Sequence, residues 1–500
     1  MLNRESLQSC PGGLLCDEMG LGKTMEILGT LVNSDVKDTL LICPKAVINQ
    51  WTTASRKSGL NVFHVDTDTW VPHGHTNADA KSIFITNYEK MDKRPTLFAR
   101  TWPRAVFDEA HRVSNRNGTK WKIVDEMKRQ ITWLVTATPV VNDLKDIRNL
   151  LMLVGFHKEK LTSYNYLKEV IAEACLHRSM DEMRHILHEL PNAPVIKTEH
   201  LDFMTEEEAA FYRGIQGKIM RRFNQLAKDQ ITEMFVLIMR LRQLSLHPQV
   251  YISARKREVG GYTRQDWDEP STKFIALREK LEAEARPTRY IVFCQFHDEM
   301  DMLQAYLEDS PAVGRVQQYH GGLTEAMKQE TIESTFETLD DGHDILLVQL
   351  HSGGVGLNLQ HFTKVVFMSP WWTAALMDQA VGRAVRMGQR ETVEVTHFVL
   401  KEEETMNIDR KMLDKADTKR DILKGILLHA HRGGVEPPAL PSADGVPILM
   451  TEAEAEAAEQ EQMNLPTSST APMQTDDDGF QRIPSCEEDP LPLTHATAVH

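Results

Sequence analysis

The chain has 500 residues, of which 41% are hydrophobic, so it is long enough for about two to four domains with buried cores. It has no apolar run of about 18 residues, no charged–apolar–small leader and no Cys-x-x-Cys pair, which argues against a membrane span, a signal peptide and a zinc module. The net charge is −15, but residues 433–500 hold thirteen acids and one arginine, so the remainder is close to neutral.

The first motif along the chain is DEMGLGKT, residues 17–24, which follows an apolar run and precedes a helical pattern. A strand–loop–helix unit ending in Gly-Lys-Thr is typical of loops that hold nucleotide phosphates, because glycines let backbone amides approach phosphate oxygens. Lys23 is expected to reach the phosphates and Thr24 to bind Mg²⁺. The strict motif has Gly where this chain has Asp17, so a glycine-rich turn without a ligand stays open as the alternative.

Short apolar strands alternate with helical patterns in the first part of the chain. They are predicted at residues 13–16, 39–43, 82–86, 105–107 and 131–135. This alternation predicts an α/β fold with a parallel sheet and crossover helices. Each predicted strand is followed by polar residues, and ligands bind beyond the carboxyl ends of strands in such sheets. The sequence therefore predicts one site at that edge.

Two acids, Asp108 and Glu109, come directly after the fourth of these strands. An Asp in this place can hold Mg²⁺, and the adjacent Glu can polarise the attacking water. The alternative is that the acids only cap the next helix. Thr136 and Thr138 follow the fifth strand, where they are either part of the same site or simply turn hydroxyls before Pro139.

A second alternating unit begins near residue 271, with apolar strands predicted at 290–294, 344–348 and 364–368. A glycine-rich segment, residues 352–358, lies between the last two and either approaches a ligand or is a flexible loop. Further along, Arg383 and Arg386 are three residues apart and share a helical face after Gln379. They are either surface charges or ligands of a phosphate.

Between the two units, residues 161–190 and 205–246 are predicted to be helical, the second starting at Thr205 with three glutamates after it. Residues 433–500 are acidic and poor in apolar residues, which predicts a disordered tail. Such a tail is either a solubilising extension or a contact for a basic partner such as a histone.

Ordered motifs over residues 12–425 resemble those of Swi/Snf-type ATPases of helicase superfamily two, which are chromatin-remodelling and repair translocases. The motifs that carry the resemblance read DEMGLGKT, LLICPKAVINQW, FITNYEK, FDEAHRVSN, LVTATPVVND, YIVFCQF, YHGGLT, QLHSGGVGLNLQ and PWWTAALMDQAVGRAVRMGQ. With Cys175 as the single cysteine of residues 175–286, the chain lacks the zinc-binding RING insertion of some repair-type relatives.

The resemblance implies an α/β fold of two tandem RecA-like lobes with helical insertions. The expected divisions are an ATP-binding lobe with a helical protrusion at 1–200, a helical protrusion and linker at 201–275, a helicase lobe at 276–432 and the disordered acidic tail. The family carries a glutamine-containing, adenine-reading segment upstream of its first motif. This chain starts too late to contain it, which predicts a fragment or a minimal member.

The resemblance also assigns a role to each candidate residue. The expected catalytic residues are Lys23, Asp108, Glu109, Arg383 and Arg386, the two arginines acting as fingers on the γ-phosphate. Mg²⁺ is expected on Thr24 and Asp108. The residues expected to bind ATP are Asp17, Glu18, Met19, Gly20, Leu21, Gly22, Lys23, Thr24, Gly356 and Gln379. Those expected to grip nucleic acid or couple it to the nucleotide are Lys45, Thr136, Thr138, Ser352, Gly353 and Trp372. The alternative for Trp371 and Trp372 is a place in the core, which explains Trp371 equally well.

The function implied by the resemblance is ATP-dependent movement along double-stranded DNA that displaces or remodels bound proteins. The expected cofactors are ATP and Mg²⁺, and the expected partners are duplex DNA and, through the tail, histones or other DNA-bound proteins, with neither membrane nor zinc. The expected location is the nucleus, or a viral replication site for a virus-encoded protein. A strand-separating helicase and an ATP-binding DNA scaffold without turnover remain the alternatives.

Overall fold

The computed structural model describes residues 1–432 except 67–68, 95–97, 142–143, 188–189, 228–229, 259–261, 338–341, 354–356 and 402–406. Two separate sheets organise this part of the chain, one of eight strands and one of six. The predicted α/β fold with two parallel-sheet lobes and helical insertions is confirmed. The predicted disordered tail, residues 433–500, lies outside the described residues.

The first sheet has the strand order β4-β3-β5-β2-β6-β7-β1-β8. Its strands are β1 (Gly12–Leu15), β2 (Asp38–Cys43), β3 (Asn61–Asp66), β4 (Thr69–Pro72), β5 (Ser82–Asn87), β6 (Trp102–Asp108), β7 (Arg129–Val135) and β8 (Cys175–Leu176). Every pairing is parallel except that of β3 with β4. The central strands are buried on both faces, as in β2, where Leu40, Leu41 and Ile42 have no exposed surface.

Helices cover both faces of this sheet and form two hydrophobic cores. They are α1 (Leu2–Glu5), α2 (Lys23–Asn33), α3 (Ile48–Lys57), α4 (Tyr88–Lys93), α5 (Thr119–Glu126), α6 (Leu144–Val154), α7 (Lys158–Leu161), α8 (Tyr164–Ala174) and α9 (Met180–Arg184). The prediction of helix throughout 161–190 is wrong at β8, because Cys175 and Leu176 pair with β1 and end α8.

The second sheet is parallel throughout and has the order β11-β12-β10-β13-β14-β9. Its strands are β9 (Val195–Leu201), β10 (Arg289–Cys294), β11 (Val313–Tyr319), β12 (His343–Gln349), β13 (Lys364–Phe367) and β14 (Glu394–Leu400). Strand β9 pairs with β14, so the second sheet begins at Val195, a few residues before the predicted division at residue 200. The chain passes from the first sheet to the second between Leu176 and Val195.

The helices that follow β9 pack on the second sheet and on each other. They are α10 (Glu206–Gln225), α11 (Ile231–Leu246), α12 (Pro248–Glu258), α13 (Thr272–Glu282), α14 (His297–Glu308), α15 (Glu325–Ser334), α16 (Leu350–Gly353), α17 (Ala374–Val381) and α18 (Ile408–Arg432). As predicted, α10 starts after Thr205, whose hydroxyl accepts the backbone N–H of Glu208 at 3.2 Å. Among the described helices, none is both long and apolar enough to cross a bilayer.

Candidate active site between the two sheets

The glycine loop between β1 and α2 has the backbone of a phosphate cradle. Gly20 and Gly22 have φ values of 85° and 86°, in the left-handed region that favours glycine. Gly22 is the N-cap of α2, and a Cβ added there would meet open space. A Cβ on Gly20 would instead meet the Met180 side chain at 2.6 Å. The loop thus leaves room at the start of an 11-residue helix, where backbone N–H groups favour an anion.

The amine of Lys23 folds back over this loop. Its Nζ donates to the carbonyl oxygens of Asp17 at 2.8 Å and Glu18 at 3.3 Å. Burial lowers the pKa of Lys23, and the negative charges of Glu109 and Asp108 oppose that shift. The loop lysine and the acid pair, far apart in sequence, therefore occupy one site.

The acids of the loop bind the segment that follows β8. The carboxylate of Asp17 is fully buried and accepts Arg178 Nε at 2.9 Å, while Arg178 also pairs with Glu26 of α2. Glu18 Oε2 accepts the backbone N–H of Met180 at 2.7 Å. Both side chains are thus engaged within the first lobe, and their contact with ATP stays a prediction.

Two residues of the loop approach the second lobe. Met19 lies beside Gly382, with its Sδ 3.4 Å from the position that a Cβ of Gly382 would take. The corresponding position on Gly20 is 3.4 Å from the carbonyl oxygen of Val385. The segment that carries the two predicted arginine fingers therefore packs directly against the glycine loop.

Asp108 stands at the end of β6 with both carboxylate oxygens bonded. Trp51 Nε1 donates to Oδ2 at 2.7 Å, and the backbone N–H of Glu109 donates to Oδ1 at 3.0 Å. The Tyr88 hydroxyl donates to the carbonyl oxygen of Asp108 at 2.7 Å. Burial and the neighbouring Glu109 raise the pKa of Asp108 to about 7. The carboxylate is held in one orientation in a poorly solvated place that favours a cation partner.

Glu109 has a left-handed backbone, with φ 52°, which is uncommon for a residue with a side chain. Its Oε2 is 3.5 Å from His111 Nδ1, which in turn lies 3.2 Å from Thr136 Oγ1. The Thr136 hydroxyl accepts the backbone N–H of Thr138 at 3.1 Å. Polar contacts therefore connect the acid motif to the threonine turn, and both threonines are buried.

The charges of the acids of the first lobe act on Arg383 of the second lobe. Burial and Arg386 lower the pKa of Arg383 to about 10, while the charges of Glu109 and Asp108 oppose that shift. Arg386 is partly buried, and its Nε donates to the carbonyl oxygen of Gly382 at 2.9 Å. The structure thus brings all five predicted catalytic residues, Lys23 included, to one interface.

The remaining predicted residues are more widely spread. Lys45 is exposed after β2, whereas Trp372 packs on Phe235 with ring centroids 5.7 Å apart. Trp371 is core, with 1% of its surface exposed. Ser352 and Gly353 end the short helix α16, but their side chains and the whole of Gly356 lie outside the described part. Leu21 is buried, and Thr24 and Gln379 are partly buried.

Sequence reasoning missed the residues that hold the site residues in place. These are Trp51 and Tyr88 at Asp108, Arg178 at Asp17 and His111 at Glu109. Trp51 stands inside the motif LLICPKAVINQW, but a tryptophan on the buried side of a helix gives no sign of a polar role. His111 was the one with a local signal, because it is two residues from Glu109.

Two protein-family models match the chain. The SNF2-related domain matches residues 1–250, and the helicase conserved C-terminal domain matches residues 272–388. Together these ranges contain every side chain of the site described above.

Several characterised or named proteins are similar over most of this chain. The probable global transactivator of Orgyia pseudotsugata multicapsid polyhedrosis virus is 26% identical over 457 residues, covering 84% of this chain and 87% of that protein. The DNA repair protein RAD5 of Candida albicans is 23% identical, covering 83% and 56%. The human SWI/SNF-related matrix-associated actin-dependent regulator of chromatin subfamily A member 1 is 23% identical, covering 81% and 41%. This chain therefore spans only about half of the last two proteins.

Solved structures of the Sulfolobus solfataricus SWI2/SNF2 ATPase core are also similar. The core in complex with dsDNA is 21% identical, with a TM-score of 0.34, covering 83% of this chain and 86% of that chain. The core domain alone is 22% identical, with a TM-score of 0.35, covering 84% and 88%.

Proposed function

Because this chain belongs to the SNF2-related family and is a helicase-like ATPase, we propose that it uses ATP hydrolysis to move along double-stranded DNA. The movement remodels protein–DNA complexes such as chromatin or repair intermediates. The observation that carries the proposal is the shared site, in which the segment of the two arginines packs against the glycine loop and the charges of Asp108 and Glu109 act on Arg383. A motor needs this arrangement, since hydrolysis at the interface changes how the lobes fit together.

Several residues fit the nucleotide and Mg²⁺. The Thr24 hydroxyl and the Asp108 carboxylate would hold Mg²⁺, which neutralises phosphate charge when bound and takes few protein ligands beside phosphates. Lys23 exchanges its two carbonyl partners for phosphate oxygens. Glu109 orients the attacking water and accepts its proton. Arg383 and Arg386 place positive charge where negative charge develops during phosphoryl transfer.

The proposed grip on DNA lies at the carboxyl ends of the strands. Lys45, the Thr136–Thr138 turn, the α16 segment and Trp372 are our candidates for it. Contacts to phosphates rather than to base edges let such a grip move along any sequence. The first two candidates belong to the first lobe and the last two to the second lobe, so each lobe has its own contact with DNA. Closure of the lobes on ATP and their opening after hydrolysis change the distance between the two contacts, which advances the protein.

We also propose where and on what the protein works. Relatives named for chromatin regulation, DNA repair and viral transactivation favour the nucleus, or the replication site of a virus. Histones or other basic DNA-bound proteins are the proposed partners of the acidic residues 433–500, through opposite charge.

The proposal is tested by phosphate release from ATP without DNA, with single-stranded DNA and with duplex DNA. Duplex DNA should stimulate release most, and Glu109→Gln should reduce the rate by about 100-fold or more, because the variant lacks the base. Glu126→Gln, an exposed change at the end of α5, is the matched control. Displacement of a triplex strand supports translocation, whereas efficient unwinding of a tailed duplex supports a strand-separating helicase. A rate that no nucleic acid changes, with ATP still bound, contradicts the proposal.

A further inference from the structure

Trp51 is a buried tryptophan whose indole N–H donates a hydrogen bond to a residue of the site. Only 1% of its surface is exposed, and its ring packs in a core of the first lobe. Its Nε1 donates to Asp108 Oδ2 at 2.7 Å, while the backbone N–H of Glu109 donates to Oδ1 at 3.0 Å. Two donors on the two oxygens fix the plane of the carboxylate. Each oxygen keeps a lone pair for a cation, and the two donors determine the direction in which these lone pairs point.

The same tryptophan belongs to the helix that follows the exposed Lys45. A 3₁₀ turn, Lys45–Val47, leads without a break into α3, and Trp51 is in the first turn of that helix. The turn begins where β2 ends, at the edge where the acids of β6 also lie. Lys45 is therefore connected by one continuous helical segment to the indole that is bonded to Asp108.

We propose that Trp51 is a positioning residue that orients Asp108 for Mg²⁺ and passes the contact of Lys45 with DNA to the hydrolytic site. The DNA half of this inference rests on the proposed function. The magnesium half rests on the contacts of Trp51 and on the proposed place of Asp108 among the Mg²⁺ ligands, and needs no role of DNA. The acid motif thereby has two couplings, one through the His111–Thr136 contact and one through Trp51.

The magnesium half is tested by binding, without turnover. The affinity for a fluorescent ATP analogue is measured in EDTA and across a range of free Mg²⁺. In Trp51→Phe we expect the affinity for the analogue in EDTA to be unchanged. The concentration of free Mg²⁺ that gives half of the Mg²⁺-dependent increase in affinity should rise about tenfold, which is the usual effect of losing a hydrogen-bond partner of a metal ligand. Unchanged Mg²⁺ dependence overturns the proposal.

Trp133→Phe is the matched control, since Trp133 is fully buried in the same core and its Nε1 donates to Glu5 instead. It should be destabilised comparably, with an unchanged Mg²⁺ dependence. If Trp51→Phe fails to fold, β-(3-benzothienyl)alanine at position 51 keeps the ring shape and removes only the N–H donor. The same shift in both Trp→Phe variants would show a general effect of core damage and would overturn the assignment.

The DNA half is tested with a double-mutant cycle on the stimulation of ATP hydrolysis by duplex DNA. Lys45→Gln and Trp51→Phe should each reduce the stimulation, and the double variant should resemble Trp51→Phe. Fully additive effects would show that Lys45 acts by another route and overturn the transmission. A wild-type protein that duplex DNA does not stimulate refutes both the proposed function and the transmission, while the binding assay still decides the magnesium role.

Discussion

Asp17 stands at the first position of the glycine loop, where a negative charge is unfavourable for a site that receives phosphates. Its carboxylate is fully buried, and Arg178 donates to it from the segment after β8. The bond to Asp17 in turn raises the pKa of Arg178. We infer that the Arg178 guanidinium neutralises the Asp17 carboxylate without occupying the place of the nucleotide phosphates.

This pairing predicts a charge effect on nucleotide binding. Arg178→Gln leaves the Asp17 carboxylate uncompensated and should weaken ATP binding by about tenfold, the effect of one charge about 10 Å away at an effective dielectric of about 20. Adding Asp17→Asn removes that charge and should restore most of the affinity, as measured by titration with a fluorescent ATP analogue. A double variant that binds as weakly as Arg178→Gln would show that the pair shapes the loop rather than balancing its charge.

The site residues that were predicted from the sequence lie in short motifs, whereas those that were missed depend on contacts between distant parts of the chain. Lys23, Asp108, Glu109, Arg383 and Arg386 stand in short contiguous motifs whose chemistry is readable locally, and the structure gathers them at one interface. Trp51 meets Asp108 across 57 residues of sequence, and Arg178 meets Asp17 across 161. Such pairs depend on how strands align, which single-sequence patterns do not state.

Among the elements, the short helix α1 is held by a buried ion pair. The Glu5 carboxylate pairs with Arg104 at the start of β6, where the guanidinium is fully buried, and also accepts Trp133 Nε1 at 2.9 Å. Arg104 donates further to Thr39 Oγ1 at 3.1 Å. The pair therefore ties α1 to the interior of the first sheet.

Removing one partner of this pair should be costly. Glu5→Ala leaves the Arg104 charge buried without its counter-ion and should lower the free energy of unfolding of the first lobe by about 3–5 kcal/mol in urea denaturation. Glu173→Ala serves as the control. Arg4 lies on α1 beside Glu5, and this change removes its ion-pair partner Glu173, whose side chain is 61% exposed. That change should cost less than about 1 kcal/mol. Equal losses would contradict the argument from burial.

The predicted strands were those with uninterrupted apolar runs, and each is present within a few residues of its predicted ends. Two of the strands that were missed, β8 and β9, lack this pattern. Strand β8 has only two residues, and β9 reads Val-Ile-Lys-Thr-Glu-His-Leu, with most positions exposed at the edge of its sheet. Edge strands carry polar residues on both faces, so hydrophobic periodicity does not find them.

At the scale of the whole molecule, the acids and the arginines of the site come from different sheets. Met19 and Gly20 lie against the segment around Gly382 and Val385, so the glycine loop also touches the second lobe. We therefore expect the rate of ATP hydrolysis to depend on how closely the two lobes approach each other. The two-lobe architecture could be predicted from the motif order, whereas the point at which the chain leaves the first sheet depends on the pairing of β8 and β9, which no motif states.

The shared site predicts that the arginines act on turnover more than on binding. Arg383→Gln and Arg386→Gln should each lower kcat with duplex DNA by about 10³-fold, the scale of an arginine finger, while ATP affinity changes far less. Single-turnover hydrolysis and equilibrium binding separate the two quantities. Arg390→Gln, an exposed change on the following segment, should affect neither. Losses of affinity as large as the losses of rate would assign the arginines to simple binding.

The pairing of β9 with β14 also has a consequence for how the protein is made. Val195 pairs with Glu394, so the edge strand of the second sheet leaves the ribosome about 200 residues before its neighbour. Until then its exposed Val195 and Ile196 have no strand beside them, although the eight-stranded sheet before them is already complete. Biosynthesis thus passes through a long stage in which one finished lobe carries an unpaired strand, and a chaperone or the folded lobe itself must keep that strand from pairing wrongly.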